Sequence, residues 1–196
     1  MAEANHFRGG AVVKKWKWLL LSGLGILLVA ALALPADAAG HKYVGAAKCK
    51  MCHNSPAKGA QFTKWTESKH ATAFATLASE ESKKAAEAKG IADPQKAAEC
   101  LKCHVTGHGS PAEMLGEKYK AEEGVTCEAC HGAGADYATM AIMKDKAKAM
   151  EAGLMEITEA VCKTCHNPES PTFKEFDFAK ATAATAHPNP QKAAGK

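Results

Sequence analysis

Cys49-Lys-Met-Cys52-His53, Cys100-Leu-Lys-Cys103-His104, Cys127-Glu-Ala-Cys130-His131 and Cys162-Lys-Thr-Cys165-His166 are four copies of one pentapeptide, and together they use all 8 cysteines of the chain. With 8 cysteines and 9 histidines in 196 residues, about 0.015 chance matches are expected, so four cannot be coincidence. Cys-x-x-Cys-His is the pattern that attaches a c-type haem: the two thiols add to the vinyl groups, and the adjacent imidazole binds the iron. Zinc ribbons and redox dithiols also use Cys-x-x-Cys, but neither needs a histidine directly after the second cysteine of every pair. Disulfides need none either. The expectation is four covalently bound haems, with His53, His104, His131 and His166 as proximal ligands.

The N-terminus directs such a chain out of the cytoplasm. Arg8, Lys14, Lys15 and Lys17 precede an apolar run from Trp18 to Leu34, and Ala36-x-Ala38 follows as a small-residue cleavage pattern. Residues 1–38 read as a signal peptide, with a haem domain over 39–187 and a loose tail over 188–196. The alternative is an uncleaved anchor, but the run is short of the roughly 20 residues that span a bilayer. Membrane association is expected only in that case, and the expected compartment is the periplasm.

About 158 residues remain after cleavage, roughly 40 for each haem. They hold one tryptophan, Trp65, and much alanine and lysine, so side chains alone would build a thin core. Four porphyrins would supply the missing apolar mass. The net charge of +4 falls to +2 once Arg8, Lys14, Lys15, Lys17, Glu3 and Asp37 are removed. Each ferric haem with ionised propionates adds about −1 and each ferrous one about −2, giving about −2 oxidised and about −6 reduced. Nothing here points to nucleic acid.

The motif histidines are 51, 27 and 35 residues apart, too uneven for a tandem repeat. Between them the pattern predicts helices and irregular loops with little or no β-sheet. Phe62, Trp65, Phe74 and Leu77 recur at helical spacing between Ala60 and Lys89, with His70 close to that face and a second start at Ser79-Glu80-Glu81. Residues 138–153 read as one helix ending at Gly153, and Thr158-Glu159-Ala160 opens a short helix into the fourth motif.

Six-coordinate haems need a second axial ligand, commonly His or Met. The four remaining histidines after residue 38 are His41, His70, His108 and His187. His70 leads, beside Trp65 and Phe74. His108 lies too close to His104 to reach the far face of its own haem, so it would serve another. His187 and, last, His41 follow. Met140 and Met143 are weaker options, because methionines at helical spacing are normally core.

Longer stretches carry a resemblance. Tyr43-Val-Gly-Ala-Ala-Lys-Cys49, Trp65-x-x-Ser68-x-His70-Ala71, Cys103-His104-Val-Thr-Gly, Gly124-Val-Thr-Cys127-Glu-x-Cys130-His131-Gly and Cys165-His166-Asn-Pro-Glu-Ser-Pro-Thr resemble the tetrahaem cytochrome c-554 family. The resemblance implies a mainly α, haem-packed fold, with haems in van der Waals contact and partly stacked in pairs. It implies periplasmic electron transfer between redox protein partners. It also implies that His70 pairs with His131 and His108 with His53, and that the haem on His104 can be five-coordinate. Its pattern puts the fourth distal histidine downstream of the third motif, yet residues 133–161 contain none, and Tyr137 lies there. His187 or His41 would have to substitute, or that haem is open too.

No nucleophile or carboxylate dyad is evident, so an electron carrier is the leading expectation. The rival is a reductase of a small nitrogen or sulfur species, such as nitric oxide, at a five-coordinate haem.

Overall fold

Short helices broken by glycine turns dominate the chain, as its scarcity of alternating strand patterns predicts. The computed structural model describes residues 40–193; the expected signal peptide lies outside the described residues. Among the described residues eleven α-helices follow one another: α1 (Ala46–His53), α2 (Gln61–Thr66), α3 (Ala73–Thr76), α4 (Glu80–Glu87), α5 (Ala98–His104), α6 (Cys127–His131), α7 (Met140–Met143), α8 (Lys146–Glu151), α9 (Glu159–Lys163), α10 (Phe178–Thr185) and α11 (Pro190–Ala193). Single 3-10 turns form at Pro56–Lys58, Ala112–Met114 and Ala121–Glu123. Among the described residues the β structure amounts to one isolated bridge, Tyr43 with Leu115. None of the described helices is long and apolar enough to cross a membrane.

Each motif rides on a helix or its end. The first three lie within α1, α5 and α6, and the fourth begins in α9. Helix starts follow their capping residues: Ser79 Oγ accepts from the Ser82 N–H, Asp145 from Ala147 and Lys148, and Thr158 from Val161. Asp145 also explains why residues 138–153 form two helices rather than the single one expected. Its carboxylate caps α8 and so breaks the run after α7. His70 likewise lies in the turn between α2 and α3, outside any helix. There its backbone C=O accepts from Ala73 and Val125.

The apolar core is thin, as expected: Ala46, Leu77, Ala86, Val105, Tyr137 and Ala149 are its buried hydrophobic members. Two glycines set the approach of the first motif. Gly45 has φ +81°, and a Cβ there would sit 2.2 Å from the Lys118 carbonyl oxygen. Gly116 lies so close to Tyr43 that a Cβ would meet its carbonyl oxygen at 2.6 Å. The tail differs from the loose segment expected over 188–196. Residues 190–193 form α11, which packs on the 3-10 turn Pro56–Lys58, with the Pro188 carbonyl against Gly59.

Candidate haem sites

Glu128, between the two cysteines of the third motif, is only 3% exposed. Its Oε1 accepts from the Val44 and Gly134 N–H groups at 2.8 and 2.7 Å, and its Oε2 from Gly45 at 2.9 Å. Glu123 adds a fourth bond, accepting from Ala46 at 3.0 Å. The carboxylates thus occupy the N-terminus of α1, where exposed N–H groups and the helix dipole favour negative charge. The first motif is fixed to the third by this clamp, and the thiols of Cys49 and Cys127 come within hydrogen-bonding reach.

The second and fourth motifs meet in the same way through Cys103 and Cys165, with Lys102 ion-paired to Glu169 across the surface. Cys130 of the third motif lies near Cys162 and Cys165 of the fourth. His131 is close enough to His53 to feel its charge. The four attachment points therefore run in the spatial order first, third, fourth, second.

The segment before the third motif is held by residues whose co-occurrence the sequence displayed without explaining. The Trp65 indole N–H donates to the Val125 C=O at 2.8 Å, and the Val125 N–H donates to the His70 C=O at 3.0 Å. The Ser68 hydroxyl closes its own turn by donating to the Trp65 C=O. Thr106 Oγ1 accepts from the Thr126 N–H at 2.7 Å and donates to the Gly124 C=O. Trp65-x-x-Ser68-x-His70 is thus the cradle of Gly124-Val-Thr-Cys127.

The histidines fall into distinct environments. The His70 ring lies 6.0 Å from that of His166, at 65° between planes, and His131 lies 6.0 Å from His187, at 71°. Burial, with the neighbouring imidazole adding to it, holds His70 below the ordinary histidine pKa. Burial does the same for His131, with His187 and then His53 adding to it. Both rings are held neutral, the form that binds a metal. Nδ1 of His187 donates to the Thr185 C=O at 2.8 Å, and Nδ1 of His104 to the Ala73 C=O at 2.7 Å. A carbonyl can only accept, so each Nε2 is left as the lone-pair nitrogen, the usual arrangement of a ligating histidine. Phe176 stacks on His166, centroid to centroid 5.0 Å, and fixes that ring's plane.

His41 is engaged elsewhere. Its Nδ1 donates to Asp136 at 2.5 Å, while its other edge lies against Gly153, where a Cβ would sit 2.8 Å from Nε2. This geometry makes it a latch between the N-terminal segment and the end of α8. His108 lies in the turn after α5 and lines a cavity of about 350 Å³ with Phe74, Leu101, Val105 and Tyr119. The Tyr137 hydroxyl donates to the Gly132 C=O at 2.7 Å, so it packs rather than ligates.

These groups fit c-type haem. No disulfide ties up any of the eight thiols. Among the described residues no three His, Cys, Asp or Glu side chains converge as a zinc ion would require. Sequence reasoning missed Glu128 and Phe176. A glutamate between two motif cysteines ordinarily faces solvent, and only the nearby glycines Gly45 and Gly134 hinted at a close backbone approach.

A family model described as cytochrome c554 and c-prime matches residues 48–132, a segment containing the first three motifs. Cytochrome c-554 of Nitrosomonas europaea is 35% identical over 122 residues, covering 56% of this chain and 45% of that protein. The match therefore spans a little under half the length of that relative. The solved structure of reduced cytochrome c554 from Nitrosomonas europaea superposes with a TM-score of 0.50 at 23% identity, over 81% of this chain and 84% of that one. That likeness establishes the shared haem-packed helical fold.

Proposed function

Since the chain belongs, through residues 48–132, to the cytochrome c554 and c-prime family, whose haems are covalently attached, we propose that it is a periplasmic tetrahaem electron carrier between redox protein partners of a respiratory chain. The observation that carries this reading is the order of the attachment points, in which each motif adjoins the next along the sequence first, third, fourth, second. When bound, each haem supplies one-electron Fe(III)/Fe(II) chemistry.

The chain's own work is positioning. Paired thiols of Cys49/Cys52, Cys100/Cys103, Cys127/Cys130 and Cys162/Cys165 anchor the groups, and His53, His104, His131 and His166 orient them from one side. Glu128 keeps the first and third anchors in register through three backbone N–H groups. A relay of this kind needs separations that do not drift, which a buried, fully hydrogen-bonded carboxylate enforces better than a mobile surface contact. Electrons then enter at one end of the row and leave at the other. The step from about −2 to about −6 on full reduction weakens the hold of an acidic partner and strengthens that of a basic one.

A haem count with a spectroelectrochemical titration tests the reading. Four haems per chain, all taking up electrons reversibly, is the expected result; fewer than four, or irons that do not cycle, would end it. Low-temperature EPR of the oxidised protein with nitric oxide addition tests the rival reductase. A high-spin signal removed by nitric oxide, together with turnover, would favour the reductase, and low-spin signals indifferent to nitric oxide favour the carrier.

A further inference from the structure

We propose that Glu128, with Glu123 beside it, is a fixed negative charge that lowers the reduction potentials of the haems on the first and third motifs together. The inference rests on the haem reading above and goes beyond the clamp, which explains only how those two anchors are held.

Burial carries it. Among the described residues Glu128 is the one charged side chain that is buried. Every hydrogen bond it makes is accepted from a backbone N–H, of Val44, Gly45 and Gly134. Glu123 accepts from the N–H of Ala46. None of the ion pairs among the described residues includes either glutamate. Peptide dipoles, and no cation, therefore face the two carboxylates. A helix N-terminus presents roughly half a positive charge, whereas two ionised carboxylates bring two negative ones. A net negative charge is left where the first motif meets the third.

Position decides which haems feel it. Glu128 lies between Cys127 and Cys130 on α6, and its carboxylate holds the backbone just ahead of α1, which carries Cys49 and Cys52. Cys49 and Cys127 are themselves within hydrogen-bonding reach. One carboxylate thus stands beside an anchor of each haem. Its charge also reaches Tyr137, whose hydroxyl is pushed up by burial first and then by Cys49 and Glu128. The equivalent positions in the other motifs hold no buried charge. Leu101 is apolar, Lys50 is exposed and screened by water, and Lys163 is neutralised by Glu159 at the surface. An iron is one positive charge richer oxidised than reduced, so a neighbouring negative charge favours the ferric form and lowers the potential. In the interior that influence escapes most of the screening by salt.

The experiment is a redox titration of the matured protein followed by proton NMR, with haem methyl resonances assigned to each macrocycle through contacts with its own motif. Glu128→Gln removes the charge and keeps one acceptor oxygen, whereas Tyr137→Phe loosens the same pocket with no change of charge. Expected for Glu128→Gln is a rise in the potentials of the haems on Cys49/Cys52 and Cys127/Cys130. That rise should exceed any change at Cys100/Cys103 and Cys162/Cys165 and should persist at high salt. Tyr137→Phe should leave all four potentials near wild type. The proposal is overturned if Glu128→Gln moves neither potential, lowers them, raises all four alike or loses its effect in salt, or if Tyr137→Phe reproduces the rise. Should Glu128→Gln fail to attach four haems, Glu123→Gln reads the same charge at the N-terminus of α1. A smaller rise at the first haem then supports the proposal, and no rise overturns it. A haem count below four in the wild type would sink the haem reading itself, a different failure from an unmoved potential.

Discussion

The region around the first and third motifs and the region around the fourth are built on different principles. In the first, Gly45, Ala46, Gly124, Thr126, Glu128, Gly132, Gly134 and Tyr137 are all buried, and backbone donors converge on one carboxylate. In the second, none of residues 150–191 is buried. Its helices are capped by Thr158 and Asp177 and pinned by exposed ion pairs, such as Lys163 with Glu159. A segment of that length with no buried side chain cannot offset its own ordering entropy, which is roughly 1–2 kcal/mol per residue. The lesson is that the protein scaffold organises one pair of haems, whereas the fourth haem must organise the protein around it.

The sharpest way to break this comparison is to delete the fourth haem with Cys162→Ser/Cys165→Ser. Amide exchange is expected to accelerate by orders of magnitude across 158–185, for instance at His166 and Ala181, while Val125, Thr126 and Gly134 keep their protection. Retained protection in 158–185 would mean that the segment holds itself, and the contrast would be wrong.

Next in size is Glu128→Ala. It strips an acceptor from three backbone N–H groups, each worth about 1–3 kcal/mol when left unsatisfied in the interior. We expect a loss on the order of 3–5 kcal/mol in denaturant unfolding of the oxidised protein, with Glu128→Gln recovering part of it by retaining one acceptor oxygen. A loss below about 1 kcal/mol for the alanine variant would show that water replaces the clamp.

How much of this was legible beforehand follows the same divide between local and long-range information. Cys-x-x-Cys-His is a local pattern, as are the helix starts at Ser79 and Thr158, and each was readable because the chemistry and its partner lie a few residues apart. The Asp145 cap was missed because alanine and lysine keep a helical pattern running through it. His70 was singled out for the right region with the wrong backbone, since Phe62, Trp65, Phe74 and Leu77 keep helical spacing across a turn that Val125 stabilises from 55 residues away. That His187 faces His131 cannot be read from spacing, because it depends on how the tail at Pro188 meets Gly59. The tail itself, with two prolines and no apolar face, read as loose for want of that contact.

Two smaller substitutions sharpen the contrast from opposite sides. Tyr137→Phe removes the buried hydroxyl that donates to Gly132 and leaves a carbonyl short of a donor, so a loss of about 1–2 kcal/mol is expected. Lys102→Ala removes the ion pair with Glu169 that spans the second and fourth motifs, but both side chains are more than half exposed. Solvent screening and the entropy of two long side chains leave such a pair nearly neutral, so its unfolding midpoint should match the wild type at moderate salt. The two variants are compared in the same oxidised protein by the same denaturant titration. If Lys102→Ala costs as much as Tyr137→Phe, the fourth-motif region is held by its own polar contacts after all. The haem would then be a passenger there rather than the core.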